Sequence, residues 1–140
     1  KPEYTLPQDT PGFSVDGKYR SAVEWALSAG LIDTTDLDGV SDTQILRGLF
    51  TRTVYRYEKY RGYDVSVNDE TEDGIIDREE FLEKYPGIDD ETLSAIIWAF
   101  NKKIIVGSGE FESVIISRNE PMTKYTVMLA LFKESKYIDA

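Results

Sequence analysis

The chain offers little chemistry, because it has 16 basic and 26 acidic residues but neither histidine nor cysteine. Imidazole and thiolate metal sites, Cys-His nucleophilic pairs and Ser-His-Asp triads are therefore excluded, leaving carboxylate, lysine and tyrosine chemistry. The densest carboxylate group is the run Asp69-Glu70-Thr71-Glu72-Asp73-Gly74-Ile75-Ile76-Asp77-Arg78-Glu79-Glu80-Phe81. Read as a calcium-binding loop, it supplies side-chain oxygens from Asp69, Thr71, Asp73 and Asp77, a carbonyl from Ile75, and Glu80 to close the site with two oxygens. Oxygens at every second residue turn inward around an ion, Gly74 permits the sharp bend, and Ile76 packs beneath. The plainer reading is an acidic insert in which Asp77 and Glu80 form an Asp-x-x-Glu capping box for a short helix. Calcium is the one cofactor this spacing would take.

The remaining candidates are basic and aromatic. Arg47 and Lys124 stand at the expected first turns of two helices, where a polymer carboxylate would also meet free backbone N–H groups; the alternative is a salt bridge to an acidic loop. Trp25 and Trp98 could stack on the C–H face of a pyranose, although their position beside apolar stripes favours a packing role. Arg52, Arg56, Lys59 and Arg61, interleaved with Tyr55, Tyr57, Tyr60 and Tyr63, read as a solvated helix face. Carboxylate pairs suffice for glycoside hydrolysis, but nothing in the pattern builds a cleft around a pair, so no enzyme is expected.

These residues need helices to position them. Apolar spacing predicts helices near 18–29, 43–61, 91–103 and 121–134, burying Ala22, Val23, Ala26, Phe50, Val54, Ile96, Phe100, Val127 and Leu131. Gly30 and Gly62 suit helix ends, Ser41 with Gln44 makes a capping box for the second helix, and Pro121 opens the last. Tyr63–Val67, Ile104–Val106 and Phe111–Ile116 alternate or are β-branched and suggest short extended pieces. Lys1 to Gly12, with three prolines, reads as a linker or arm with little order.

An internal repeat organises the chain. Trp25-Ala26 and Trp98-Ala99 open the same phrase, which ends at Leu31-Ile32 and Ile104-Ile105; Ile45-Leu46-Arg47 then matches Met122-Thr123-Lys124, with a loop four residues longer in the later copy. Repeated helix-loop-helix units must cover one another's apolar faces. Phe13-Ser14-Val15, Ala22 to Ile32, Asp38-Gly39 and Ile45 to Phe50 ending in Tyr55-Arg56-Tyr57 resemble, in that order, the S-layer homology modules of bacterial cell-surface proteins. The second copy is similar from about Thr92 to Lys133, so the resemblance covers about two thirds of the chain. The resemblance implies an all-α, mostly helical fold of tandem helix-loop-helix repeats, in a family that usually carries three such copies and anchors exported proteins to anionic, often pyruvylated, secondary cell-wall polysaccharide. The family's Ile-Thr-Arg-Ala-Glu motif supplies a ligand-binding Arg. Here the first copy keeps Arg47 with Leu46 and Leu49 in place of Thr and Glu, and the second keeps Thr123 with Lys124 and Thr126 in place of Arg and Glu.

A formal charge of −10 over 140 residues argues against nucleic acid or an anionic membrane as partner. The lack of an apolar run of bilayer length argues against a spanning segment. The organisation expected is an arm (1–12), a first repeat (13–62), an acidic insert with a short helix (63–90) and a second repeat (91–140). Arg47, Lys124, Thr123, Trp25 and Trp98 form the expected glycan site of an extracellular, cell-wall-bound module, whose other partners would be further repeats or a surface protein. The competing expectation is a calcium-dependent protein-protein interaction module.

Overall fold

A computed structural model describes residues 3–14, 18–104, 110–122, 127, 130 and 131. The chain is mostly helical: α1 Lys18–Ala29, α2 Arg47–Tyr60, α3 Arg78–Lys84, α4 Asp90–Asn101 and α5 Phe111–Ile116. Among the described residues, four two-residue strands, β1 Ile45–Leu46, β2 Glu70–Thr71, β3 Gly74–Ile75 and β4 Pro121–Met122, pair as β1 with β4 and β2 with β3, both antiparallel. No helix among the described residues is long and apolar enough to cross a membrane.

The fold is centred on α4. Its sequence is apolar on nearly every side, and Leu93, Ala95, Ile96, Ile97, Trp98 and Ala99 are all buried, as a helix without a polar face must be. Asp89 starts it by accepting the Thr92 N–H at 2.7 Å, which satisfies one of the donors that a helix start leaves free. Phe50 and Val54 of α2 pack with Trp98 and Ala99 on one side of α4. Phe111, Val114 and Ile115 of α5 pack with Leu93, Ile96 and Ile97 on the other.

The duplication is visible in backbone detail. Gly30 ends α1 at φ +79°, and Lys103, the fifth residue after Trp98 as Gly30 is after Trp25, ends α4 at φ +59°. The hydrogen bonds also correspond. The Leu31 N–H donates to the Ala26 carbonyl at 2.8 Å and the Ile104 N–H to that of Ala99 at 3.0 Å, while Gly30 donates to Leu27 at 3.2 Å and Lys103 to Phe100 at 3.1 Å. Ile45 and Met122, matched by the repeat, lie opposite each other in the β1–β4 pair. A lysine in the left-handed region is strained where glycine is not. Lys103→Gly is therefore expected to raise stability by about 1 kcal/mol, read as a higher urea midpoint at unchanged slope; an unchanged midpoint would show that the Lys103 cap carries no such strain.

Several expected elements differ. Ser41 does not cap α2: its N–H donates to the Gln44 carbonyl at 2.9 Å in a tight turn, and α2 begins two residues after Ile45, following Leu46 with no side-chain cap. Phe111–Ile116 is helical, because its apolar residues at one face complete the cover of α4, and tertiary packing overrides β propensity in so short a segment. Pro121 is a strand residue, its missing N–H tolerated at the edge of a two-stranded pair. Val127, Ala130 and Leu131 are helical, while Val15, Ile105–Val106, Thr123–Thr126 and Phe132–Ala140 lie outside the described residues. The arm is tied down by Leu6 and Phe13, which are buried against Val23, Leu27 and Ile32. The insert contributes Val65, Ile76 and Ile88 to the core. Of the residues expected inside, Ala22 and Leu131 are exposed and Ala26, Phe100 and Val127 half-buried. Ala22 and Leu131 line the rim of an apolar groove of about 570 Å³ floored by Val23, Ile45, Phe50 and Met122.

Candidate functional site

The acidic loop folds into a β2–β3 hairpin, and Asp69, Thr71, Asp73 and Asp77 each have a hydrogen-bond partner within the chain. Asp69, at φ +54°, is gripped by the Arg78 guanidinium through Nη2 at 2.5 Å and Nε at 3.2 Å. The Asp73 carboxylate accepts the Phe111 N–H at 2.9 Å, and Asp77 accepts the Glu80 N–H at 3.2 Å as the N-cap of α3. Thr71 is buried and its hydroxyl accepts the Asp73 N–H at 3.1 Å. Glu80 and the Ile75 side chain face solvent. Among the described residues no three carboxylates come together as a metal-binding group. The positive charge beside Asp69 is supplied by the chain itself, and Arg78 extends it to Asp90 through Nη1 at 3.0 Å.

Of the five residues expected to hold a glycan, Trp25, Arg47 and Trp98 are described, and they differ in exposure. Trp98 is 3% exposed, with Tyr55 edge-on at 5.8 Å; its packing role follows from its place on α4. Trp25, on the outer face of α1, is 50% exposed. Arg47 is the first residue of α2 and half-buried, and its N–H donates to the Glu120 carbonyl at 2.9 Å. Thr123 and Lys124 lie outside the described residues.

The basic face of α2 also divides. Arg52 pairs with Asp36, and Arg56 holds Glu91 with two hydrogen bonds, at 2.6 and 3.0 Å, and reaches Asp33 at 3.4 Å. These pairs are structural bridges that bind α2 to the start of α4 and to the first loop. They also act on Asp89: burial pushes its carboxyl up, but hydrogen bonds from Thr92 and the fields of Arg52 and Arg56 outweigh this and leave it below the ordinary range. The stabilisation this gives is present above the unfolded carboxyl's pKa, about 3.9, and is lost as the pH falls through the lowered folded value.

The other half of that face stays outside. Tyr57 and Tyr60 stand edge-on to Trp25 with ring centroids at 6.5 and 6.2 Å and interplanar angles of 69° and 86°. Arg61 lies over the Tyr57 ring at 5.5 Å and over Tyr63 at 4.8 Å, and its Nη1 pairs at 3.0 Å with Glu58, which is fully buried. A further signal sits in the insert. Ile76-Asp77-Arg78-Glu79-Glu80-Phe81 repeats the Ile-x-Arg-x-x-Phe spacing of Ile45 to Phe50, and in both places the Arg is the first residue of a helix. That spacing would have singled out Arg78.

No protein-family model matches the chain, and no curated protein or solved structure matches it.

Proposed function

We propose that the chain is a non-catalytic, extracellular module of the S-layer homology type that anchors a larger protein to anionic secondary cell-wall polysaccharide. The observation carrying this reading is the shared build of the two copies: matching left-handed helix ends at Gly30 and Lys103, and Ile45 facing Met122 across the β1–β4 pair. This supports the duplication on which the resemblance rests. A polymer carboxylate is drawn to a chain of net charge −10 only where basic groups are local. Arg47 supplies a forked guanidinium at the start of α2, a geometry suited to a carboxylate.

The test is retention on purified secondary cell-wall polysaccharide, native and after acid removal of its pyruvyl groups. Native polymer should retain the wild type, stripped polymer should retain it weakly, and Arg47→Ala should weaken retention about tenfold, the loss of a charge-assisted pair. Lys124→Ala should weaken it less, since an ammonium offers a point charge where guanidinium offers a fork. Equal retention of wild type and Arg47→Ala would remove Arg47 from the site, and no retention on native polymer would end the anchoring reading.

A further inference from the structure

The exposed aromatic cluster at the far end of α2 has chemistry of its own. Trp25, Tyr60 and Tyr63 are 50%, 63% and 40% exposed, and they lie within one connected set of ring contacts that runs from Trp25 through Tyr57 to Arg61 and Tyr63. Aromatic side chains of this size usually go inside, and when several gather on a surface they mark a contact site. Neither tyrosine is stacked face to face on the indole, since both planes stand nearly perpendicular to it.

The cluster is also held in place from below. Glu58 is buried beneath it and fixes Arg61, which is sandwiched by Tyr57 and Tyr63 and whose Nη2 reaches the Tyr63 hydroxyl at 3.4 Å. The backbone supports the same corner: Gly62 turns the chain at φ +90°, and the Tyr63 N–H donates to the Glu58 carbonyl at 3.0 Å. Rings that are pre-positioned lose little entropy when a ligand arrives.

We infer that Trp25, Tyr60 and Tyr63, held in place by Tyr57 and Arg61, form a stacking platform for the pyranose rings of a glycan chain, an inference that rests on the anchoring function proposed above and names a second contact for the same polymer. Three features select a sugar over a protein surface. The exposed large side chains of the cluster are aromatic throughout, whereas the exposed aliphatics Ile75, Ile116 and Leu131 belong to other elements. Indole and phenol rings offer a flat apolar face to sugar C–H groups and a polar edge to hydroxyls. Lys59, exposed at the same end of α2, adds positive charge that suits a polymer with acidic substituents. The platform and Arg47 are separated by the length of α2, about 20 Å at 1.5 Å per residue, a span that a polymer covers and a single sugar does not.

The experiment measures binding of the full chain to purified secondary cell-wall polysaccharide and to neutral chitohexaose, for wild type, Trp25→Ala, Trp25→Phe and Arg47→Ala. Circular dichroism checks each fold. Iodide quenching provides a second reading, because Trp25 is accessible and Trp98 is not. Trp25→Ala should weaken polysaccharide binding about tenfold and Trp25→Phe less than about threefold, as expected for one lost and one conserved stack. Polymer should shield the quenchable tryptophan of the wild type. Full binding by Trp25→Ala with no shielding, alongside loss in Arg47→Ala, overturns the platform and leaves the anchoring function standing. Chitohexaose that shields Trp25 while the acidic polymer does not bind keeps the platform and overturns the anchoring function. Shielding by an added protein or by a second copy of the chain, with none from either glycan, overturns the platform as a sugar site.

Discussion

Trp98→Ala should lower the unfolding free energy by about 3 to 5 kcal/mol, the range for truncating a large side chain in a packed core. Trp25→Ala, the same landmark one repeat earlier, should cost about 1 kcal/mol. Trp98 sits on the buried middle of α4 and loses its contacts with Tyr55 and the α2 side of the core, leaving a cavity that the helices packed around it cannot fully collapse. Trp25 loses two edge-on tyrosine contacts at a half-open surface, where solvent fills the space. Guanidinium unfolding of both variants measures the contrast. Similar losses at the two positions would mean that the copies carry the core equally and that α4 is not its centre.

The second large effect is expected at Arg78. Its guanidinium joins Asp69 at the start of the hairpin to Asp90 at the start of α4, and its side chain is only 22% exposed. Arg78→Ala leaves both carboxylates without their cation and should cost about 1 to 2 kcal/mol, because Asp90 is largely exposed and solvent screens that pair. Arg78→Lys should recover less than half, because an ammonium cannot bridge both carboxylates with a planar fork. Wild type should melt at the same temperature in millimolar calcium and in chelator, since Asp69, Asp73 and Asp77 are engaged within the chain. A calcium-dependent rise in the wild type would show that these bonds yield to the ion and that the loop is a metal site.

The helices were legible in the sequence because their stripes are long enough to repeat: α1, α2 and α4 stand within a few residues of where Val23-Leu27, Phe50-Val54 and Leu93-Ile97 place them. The Gly30 and Gly62 ends and the Asp77 and Asp89 caps were legible for the same local reason. Phe111–Ile116 was not, since six residues without a full period say little about state when a neighbouring helix supplies the deciding contacts. The two tryptophans show the deeper limit. Trp25 and Trp98 have the same local phrase, and only the all-apolar surroundings of Trp98 on α4, against the polar neighbours of Trp25, separate an enclosed ring from an open one. The site was partly legible: Trp25 and the tyrosines are plain in the sequence, but their meeting across α1 and α2 is a tertiary fact, and no pairwise spacing encodes it.

The placement of α4 has a consequence for how such a chain can be cut or shortened. α4 belongs by sequence to the second copy, yet its Trp98 side serves as the floor for α2 of the first, while β1 of the first copy pairs with β4 of the second. A gene fragment ending in the exposed Pro86-Gly87 turn would encode a first copy with Phe50 and Val54 open to water, and its complement would carry a bare, greasy α4. Neither piece is a heritable unit on its own. The two halves cover each other's apolar faces, so fragments left by recombination or proteolysis between them are expected to aggregate and not to persist as two smaller modules.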